Sequence, residues 1–256
     1  MFKNESFVSQ NGITFNYKFH SSLRADSQSK LAEQIETNRP DLATTLKRTD
    51  ILILTFGTAW VYELKSPKML VANCHKVDQS LFTKRILSIE EITIGFQQLI
   101  TKLKEVNPDL KVLLTVSPIR HTKEGLSNNN LSKSVLRVAC QEICEAHDFV
   151  DYFPAYEILI DDLRDYRFFE KDMIHPNEQA QDYIWQKFSA FYFNQEALDF
   201  NTEWLPILSS LNHKPFNPQS EQHQVFLRQL LDRLQNLNYP VDVTEEINRV
   251  KSHLIS

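Results

Sequence analysis

The chain has 256 residues, of which 42% are hydrophobic and 24% charged, enough for one sizeable core with or without an appendage. Its formal net charge is −5, with lysines and arginines scattered among acids, so neither nucleic acid nor an anionic membrane surface is expected as a partner. No apolar run approaches the roughly 20 residues that span a bilayer, and the opening stretch MFKNESFVSQ lacks the apolar core of a signal peptide, so no membrane insertion and a cytoplasmic location are expected.

In chain order, GITFNYKF (residues 12–19) alternates and is aromatic, which suits a short strand. SQSKLAEQIETNRPDLATTLKRTD reads as helical on both sides of Pro40. The run ILILTF (51–56) is apolar at every second position of either set, as a parallel strand buried on both faces would be, and ends at Gly57. After a polar stretch, LSIEEITIGFQQLITKLKEVNPDLK predicts an amphipathic helix with Ser88 as its cap and Glu91 at the capping-box offset, ending at Asn107-Pro108. KVLLTVSPIRH is a second buried strand broken by Pro118, SKSVLRVACQEICEAHD a further helix, and FVDYFPAYEIL a third strand-like run ending at Pro154. The order strand, helix, strand, helix, strand predicts an α/β fold: a parallel sheet with helices on both faces and right-handed crossovers. Its site is expected beyond the carboxyl ends of the strands, where Gly57, Ser117-Pro118 and Pro154-Ala155 fall. QDYIWQKFSAFYFNQ predicts an amphipathic helix that packs on the sheet through Tyr183, Ile184 and Phe188. Residues 195–256 read as two or three more helices divided by the turn NHKPFNPQSE; their apolar stripe is modest, so they are expected to form an extension packed on an α/β domain of residues 1–194.

The segment DMIHPNEQA (172–180) carries the strongest chemical signal. Asp172 and His175 are three apart in a turn before a helix, so the carboxylate can hold one imidazole nitrogen and leave the other basic and outward. That is the base-and-orienter half of a hydrolytic triad. Pro176 is expected near the first helical turn, fixing His175. The structural alternative makes Asp172 a helix cap and His175 a surface residue. Elsewhere, Cys74-His75 could place a thiolate, but a packed or hydrogen-bonded pair is the expected role. Ser21 and Ser22 lie beside His20. Arg120 and His121 follow a strand end, where they are candidate substrate contacts or members of a salt-bridged loop. Asp161, Asp162, Arg164, Asp165 and Arg167 are expected to form ion pairs rather than a metal site. The aromatic residues from 152 to 169 are expected to pack. The three cysteines, Cys74, Cys140 and Cys144, show no metal-ligand spacing and are expected to be reduced, and with four glycines in all there is no phosphate-binding loop. No metal and no cofactor are expected.

LTFGTAWVY, VANCHK, LLTVSPIRH, NNLSKSVL, YFPAYEILIDDLRDYRFF and DMIHPNEQAQDYIWQKF occur in the order and spacing of the GSCFA family, a branch of the SGNH (GDSL-like) hydrolases, and the chain resembles that family over roughly residues 10 to 230. The resemblance implies a three-layer α/β/α sandwich on a mostly parallel, flavodoxin-like sheet. It implies Asp172 as orienter and His175 as general base. Gly57 matches the glycine of the G-x-N-D block, but GTAW puts Ala59 where the block has its oxyanion asparagine. Asn73 is the nearest replacement, with the Gly57 N–H as a second donor. Members of the family begin with a strand ending in Gly-Ser-Cys-Phe-Ala, whose serine resembles the SGNH nucleophile, and this chain has no such motif. The expectation is therefore a fold with its first strands absent, leaving residues 51–56 as an apolar edge open to self-association. The implied activity is hydrolysis of an ester or acyl bond, of unnamed substrate, once a serine is supplied. The alternative is a catalytically silent binding or scaffolding protein that keeps the fold.

Overall fold

A computed structural model describes residues 6–255, the side chains of residues 38–41 excepted. The elements in chain order are β1 (Phe7–Gln10), β2 (Ile13–Asn16), β3 (Arg24–Ala25), α1 (Gln28–Lys47), β4 (Ile51–Phe56), β5 (Trp60–Leu64), β6 (Met69–Val71), β7 (Phe82–Ile86), α2 (Ile89–Val106), β8 (Lys111–Val116), α3 (Leu126–Ala146), β9 (Val150–Phe153), α4 (Ala155–Glu157), α5 (Glu178–Tyr192), α6 (Gln195–Leu211), α7 (Glu221–Gln235) and α8 (Thr244–His253). The helices expected on either side of Pro40 are the single element α1. By contacts the chain divides into two compact units, one up to Ile184 and one from Trp185 onward, with the boundary inside α5.

In the first unit, β4, β8 and β9 form an all-parallel sheet in that order. Leu54 faces Leu114, and Leu114 faces Tyr152, so the register is continuous across it. Leu52, Leu54 and Phe56 of β4, with Val112, Leu114 and Val116 of β8, pack against Phe96, Ile100 and Leu103 of α2 and Leu136, Cys140 and Ile143 of α3. α2 starts where the sequence predicts. Ser88 Oγ accepts from Glu91 N–H at 3.1 Å, and the Glu91 carboxylate accepts from Ser88 N–H at 2.9 Å. Arg85 donates to that same carboxylate and, with Ser88 N–H, holds its pKa down to about 2. At the other end, buried Asn107 donates to the carbonyls of Leu46 and Thr49, tying the end of α1 to the end of α2.

Three expectations are refined or corrected here. Helices were expected on both faces; α2 and α3 cover the same one, and the burial of Leu113, Thr115 and Phe153 on the other does not come from these two crossover helices. The reason is topological: consecutive strands laid side by side by right-handed crossovers put each connecting helix on one side, and only a reversal of strand order moves a helix across. Second, residues 51–56 are not buried on both faces. Among the described residues β4 pairs with β8 alone, and Ile51 and Ile53, on the face away from α2, are 54% and 51% exposed. Third, the parallel sheet is accompanied by two small antiparallel ones. The polar stretch after Gly57 folds as an antiparallel sheet, β6-β5-β7, and the N-terminal strands form another, β1-β2-β3. Cross-strand aromatic packing among Phe15, Tyr17, Tyr62 and Phe82 fills the core these strands share. That pattern is invisible to a reading that weighs only long apolar runs.

The second unit has its own core, in which Ile207 and Leu211 of α6 meet Leu227, Leu230 and Leu234 of α7 and Val250 of α8. Buried Gln224 donates to the carbonyls of Pro218 and His253 and accepts from Ile255 N–H, fixing the end of α8 against α7. Among the described residues no helix is long and apolar enough to cross a membrane.

The asymmetry of the two sheet faces is measurable. Leu114, fully buried at 0% exposure, should lose about 3 kcal/mol of unfolding free energy on truncation to alanine, whereas Ile53→Ala on the open face should cost less than about 1 kcal/mol. Urea titrations of the two variants check this; equal losses would mean that the open face is covered.

Candidate active site

β4 and β8 run parallel, so their carboxyl ends open together, and what holds those ends is a lysine. Lys133, on the first half of α3, is 1% exposed. Its Nζ donates to Gly57 O and to Ser117 O, each at 2.6 Å. Burial pushes its pKa down to about 8. Ser132, beside it and equally buried, accepts from Ala59 N–H at 2.7 Å and shares a hydrogen bond with Thr58 Oγ1 at 3.0 Å. One turn earlier, buried Asn129 accepts from His121 N–H at 2.7 Å. The strand-end segment from Gly57 to Ala59 is thus fastened to α3. Gly57 sits in a close approach: a Cβ there would lie 3.2 Å from His121 Nε2, so the ring would have to shift by a few tenths of an ångström. Among the described residues no acceptor takes the Gly57 N–H. Partial desolvation, and then the Lys133 ammonium, push the His121 pKa down.

The Asp172–His175 turn is joined to the same end of the sheet through Arg120. Arg120 N–H donates to Ile174 O at 3.2 Å and its Nη1 to Met173 O at 3.2 Å. Its guanidinium lies 4.0 Å from the centre of the Phe169 ring and 5.7 Å from that of Tyr166. The turn closes as a bridge between Phe169 and Pro176, with Met173 at φ 60°. Asp172 Oδ1 accepts from Ile174 N–H and His175 N–H, while Oδ2 lies 2.6 Å from His175 Nδ1. The imidazole contact first, and then those two N–H groups, hold the Asp172 pKa down to about 2. The pair is therefore a carboxylate bound to a ring whose other nitrogen, Nε2, has no partner among the described residues, and both side chains stay about half exposed. Pro176 lies just before the first turn of α5. Asn177 accepts from Ala180 N–H as the cap of α5, and Pro176 precedes it.

The structure thus connects Asp172, His175, Arg120, His121 and Gly57 in one chain of contacts. Arg120 serves as a clamp on the turn and, contrary to the salt-bridged alternative, stacks on aromatic rings. Asn73 is elsewhere in its contacts: Oδ1 accepts from His75 N–H at 2.7 Å, and its N–H donates to Tyr17 O. His75 stacks on Phe15 at 4.2 Å, so this pair belongs to the antiparallel sheets. Burial pushes the Cys74 thiol up, against a thiolate. His20 Nδ1 bonds Ser22. Among Asp161, Asp162 and Asp165, the first pairs with Arg164 at 3.6 Å, the second accepts from Tyr183 and the third caps a turn at Arg167. Among the described residues no group of three or more His, Cys, Asp or Glu could hold a metal ion. Sequence reasoning missed Asn129, Ser132 and Lys133. Their spacing, one helical turn apart, puts them on one face of α3, and the stretch NNLSKSVL that contains them is part of the family resemblance.

An α/β unit with an Asp–His pair at its strand ends is the class defined so far. Residues 1–188 match the model of the GSCFA family, and residues 204–256 match that of the GSCFA domain protein, C-terminal domain. The chain belongs to the GSCFA family. No curated protein and no solved structure matches it.

Lys133 should leave a signature in the pH dependence of stability. Its folded pKa is about 8 against an unfolded value of about 10.4, so between these pH values the unfolded chain binds the extra proton and stability rises with pH. Relative to Lys133→Met, the native chain should gain about 3 kcal/mol from pH 7.5 to pH 10.5 in urea titrations. A difference that stays flat would show that the ammonium is solvated.

Proposed function

We propose that this chain carries the base-and-orienter half of an SGNH-type hydrolase acting on an ester or acyl bond. The single observation that supports it is the 2.6 Å contact of Asp172 with His175 Nδ1, in a turn clamped by Arg120 at the end of the parallel sheet. In this reading His175 Nε2 takes the proton of a serine hydroxyl as that oxygen attacks the acyl carbon, and returns it to the leaving alcohol. The Gly57 N–H is the candidate donor to the oxyanion; the contacts of Asn73 do not add to that role. In this reading the hydroxyl comes from a strand carrying Gly-Ser-Cys-Phe-Ala that pairs with the free edge of β4 and extends the sheet there. A second reading, a silent binding or scaffolding protein, is favoured by the absence of any hydroxyl on His175 Nε2 among the described residues.

The two are separated by esterase assays. The 256-residue chain should not turn over p-nitrophenyl acetate above background. The chain extended by the motif-bearing strand of a family member should do so, with the activity falling by about a thousandfold or more in His175→Ala. Turnover that survives His175→Ala, or an extended chain that remains silent, overturns the hydrolase reading.

The same edge supports self-association, because unpaired strand groups beside apolar side chains template pairing. Sedimentation at micromolar concentrations should show association that weakens in Ile53→Lys; a monodisperse monomer at every concentration would count against the open edge.

A further inference from the structure

The second unit contains a cleft of about 280 Å³ whose floor and rim differ in chemistry. Its floor is apolar, built from Leu211, Leu227 and Leu230, all buried, with Phe226 beside them. Its rim is basic: Lys214 and Arg249 line it, no aspartate or glutamate does, and three of the chain's eight histidines face it, His213, His223 and His253. Lys214 has no partner among the described residues. Arg249 uses one donor on Leu211 O at 3.0 Å, and His253 Nδ1 donates to Arg249 O at 2.7 Å. The rings of His213 and His223 flank Phe226, with centroids 5.7 and 5.8 Å away. On the adjoining loop Phe216 is wholly exposed and lines a neighbouring cavity with the same two histidines.

Two cations beside an apolar floor, without a counter-ion among the described residues, are matched by neither a neutral hydrocarbon nor a small inorganic anion. The first leaves the charges uncompensated, and the second leaves the floor wet. The imidazoles do not converge as metal ligands. At roughly 30 Å³ for a water-sized group, the cleft holds about nine such groups, the size of a carboxylate on a chain of about eight carbons.

We propose that this cleft in the C-terminal unit is a binding site for a compact organic anion, a carboxylate with an apolar body, whose head meets Lys214 and Arg249 while its chain lies on Leu227 and Leu230. The cleft lies wholly within the second unit, and the assignment is independent of the chemistry of the first. The test is calorimetric titration of the full chain with octanoate, octanol and acetate. Octanoate should bind saturably and at least about tenfold more tightly than either of the others, since losing a charge-assisted contact or the chain's burial costs about that factor. Lys214→Glu, at an exposed side chain without a partner, should weaken octanoate about tenfold or more, and Lys251→Glu, an equal charge change outside the cleft, should leave it within about twofold. Octanol binding as well as octanoate, equal losses in the two variants, or no saturable binding would each overturn the site. In a second measurement, the ring resonances of His213 and His223 should shift with octanoate; rings that stay unmoved at saturation would place the ligand elsewhere and overturn it as well.

Discussion

One buried ammonium, Lys133 Nζ between the carbonyls of Gly57 and Ser117, governs the geometry at the carboxyl end of the sheet. An unpaired charge at that depth would cost several kcal/mol, and two short charge-assisted hydrogen bonds offset part of it. The part of the desolvation that these bonds do not offset pushes the Lys133 pKa down to about 8. The same bonds set direction. In a trans peptide the carbonyl and the following N–H point opposite ways, so holding Gly57 O inward on Lys133 turns the Thr58 N–H away from the helix. The next N–H, that of Ala59, turns back and donates to Ser132 Oγ on the helix, so the segment is held to α3 at both peptides.

The sheet that carries this end is exposed on one face along β4, while Leu113 and Thr115 of β8 are buried on that same face. Sequential strand order places α2 and α3 together on one face, and nothing in that topology brings a helix over Ile51 and Ile53. The site inherits the asymmetry: Lys133, Ser132 and Asn129 fasten it from the α3 side, and Arg120 with the aromatic pair Tyr166 and Phe169 fastens the Asp172–His175 turn. Neither set of anchors uses β4's free edge, so a strand added there would meet a site already held in shape.

What was legible in the sequence follows from the range of the forces involved. The capping box of α2 and the strands β4, β8 and β9 rest on local periodicity and on Ser, Glu and Pro at fixed offsets, which a sequence displays directly. The Asp172–His175 contact was legible for the same reason, because its partners are three residues apart. Lys133 was not: its two acceptors lie 76 and 16 residues away, and a lysine between two serines reads as a solvated helix face. The strands β5 to β7 were missed because their burial comes from cross-strand aromatic contacts, with Glu63, Lys84 and Arg85 interleaved among apolar residues. The covering of one face by both helices could have been anticipated only from the strand order, which is a long-range pairing fact.

The Asp172 carboxylate shows why capping and orienting are not rival descriptions of the turn. Its two oxygens divide the work: Oδ1 accepts the N–H groups of Ile174 and His175, and Oδ2 meets the imidazole at Nδ1. An asparagine or serine would satisfy the first demand equally well, since short polar side chains of either kind close such turns. Only an ionised carboxylate meets both, taking the backbone donors on one oxygen and stabilising a charge that develops on the ring with the other. Its pKa of about 2 keeps it ionised throughout the range in which a histidine changes charge. The capping bonds also fix the carboxylate independently of the imidazole contact. The orientation of Nε2 is therefore a property of the turn itself and does not depend on a hydroxyl being present to receive it.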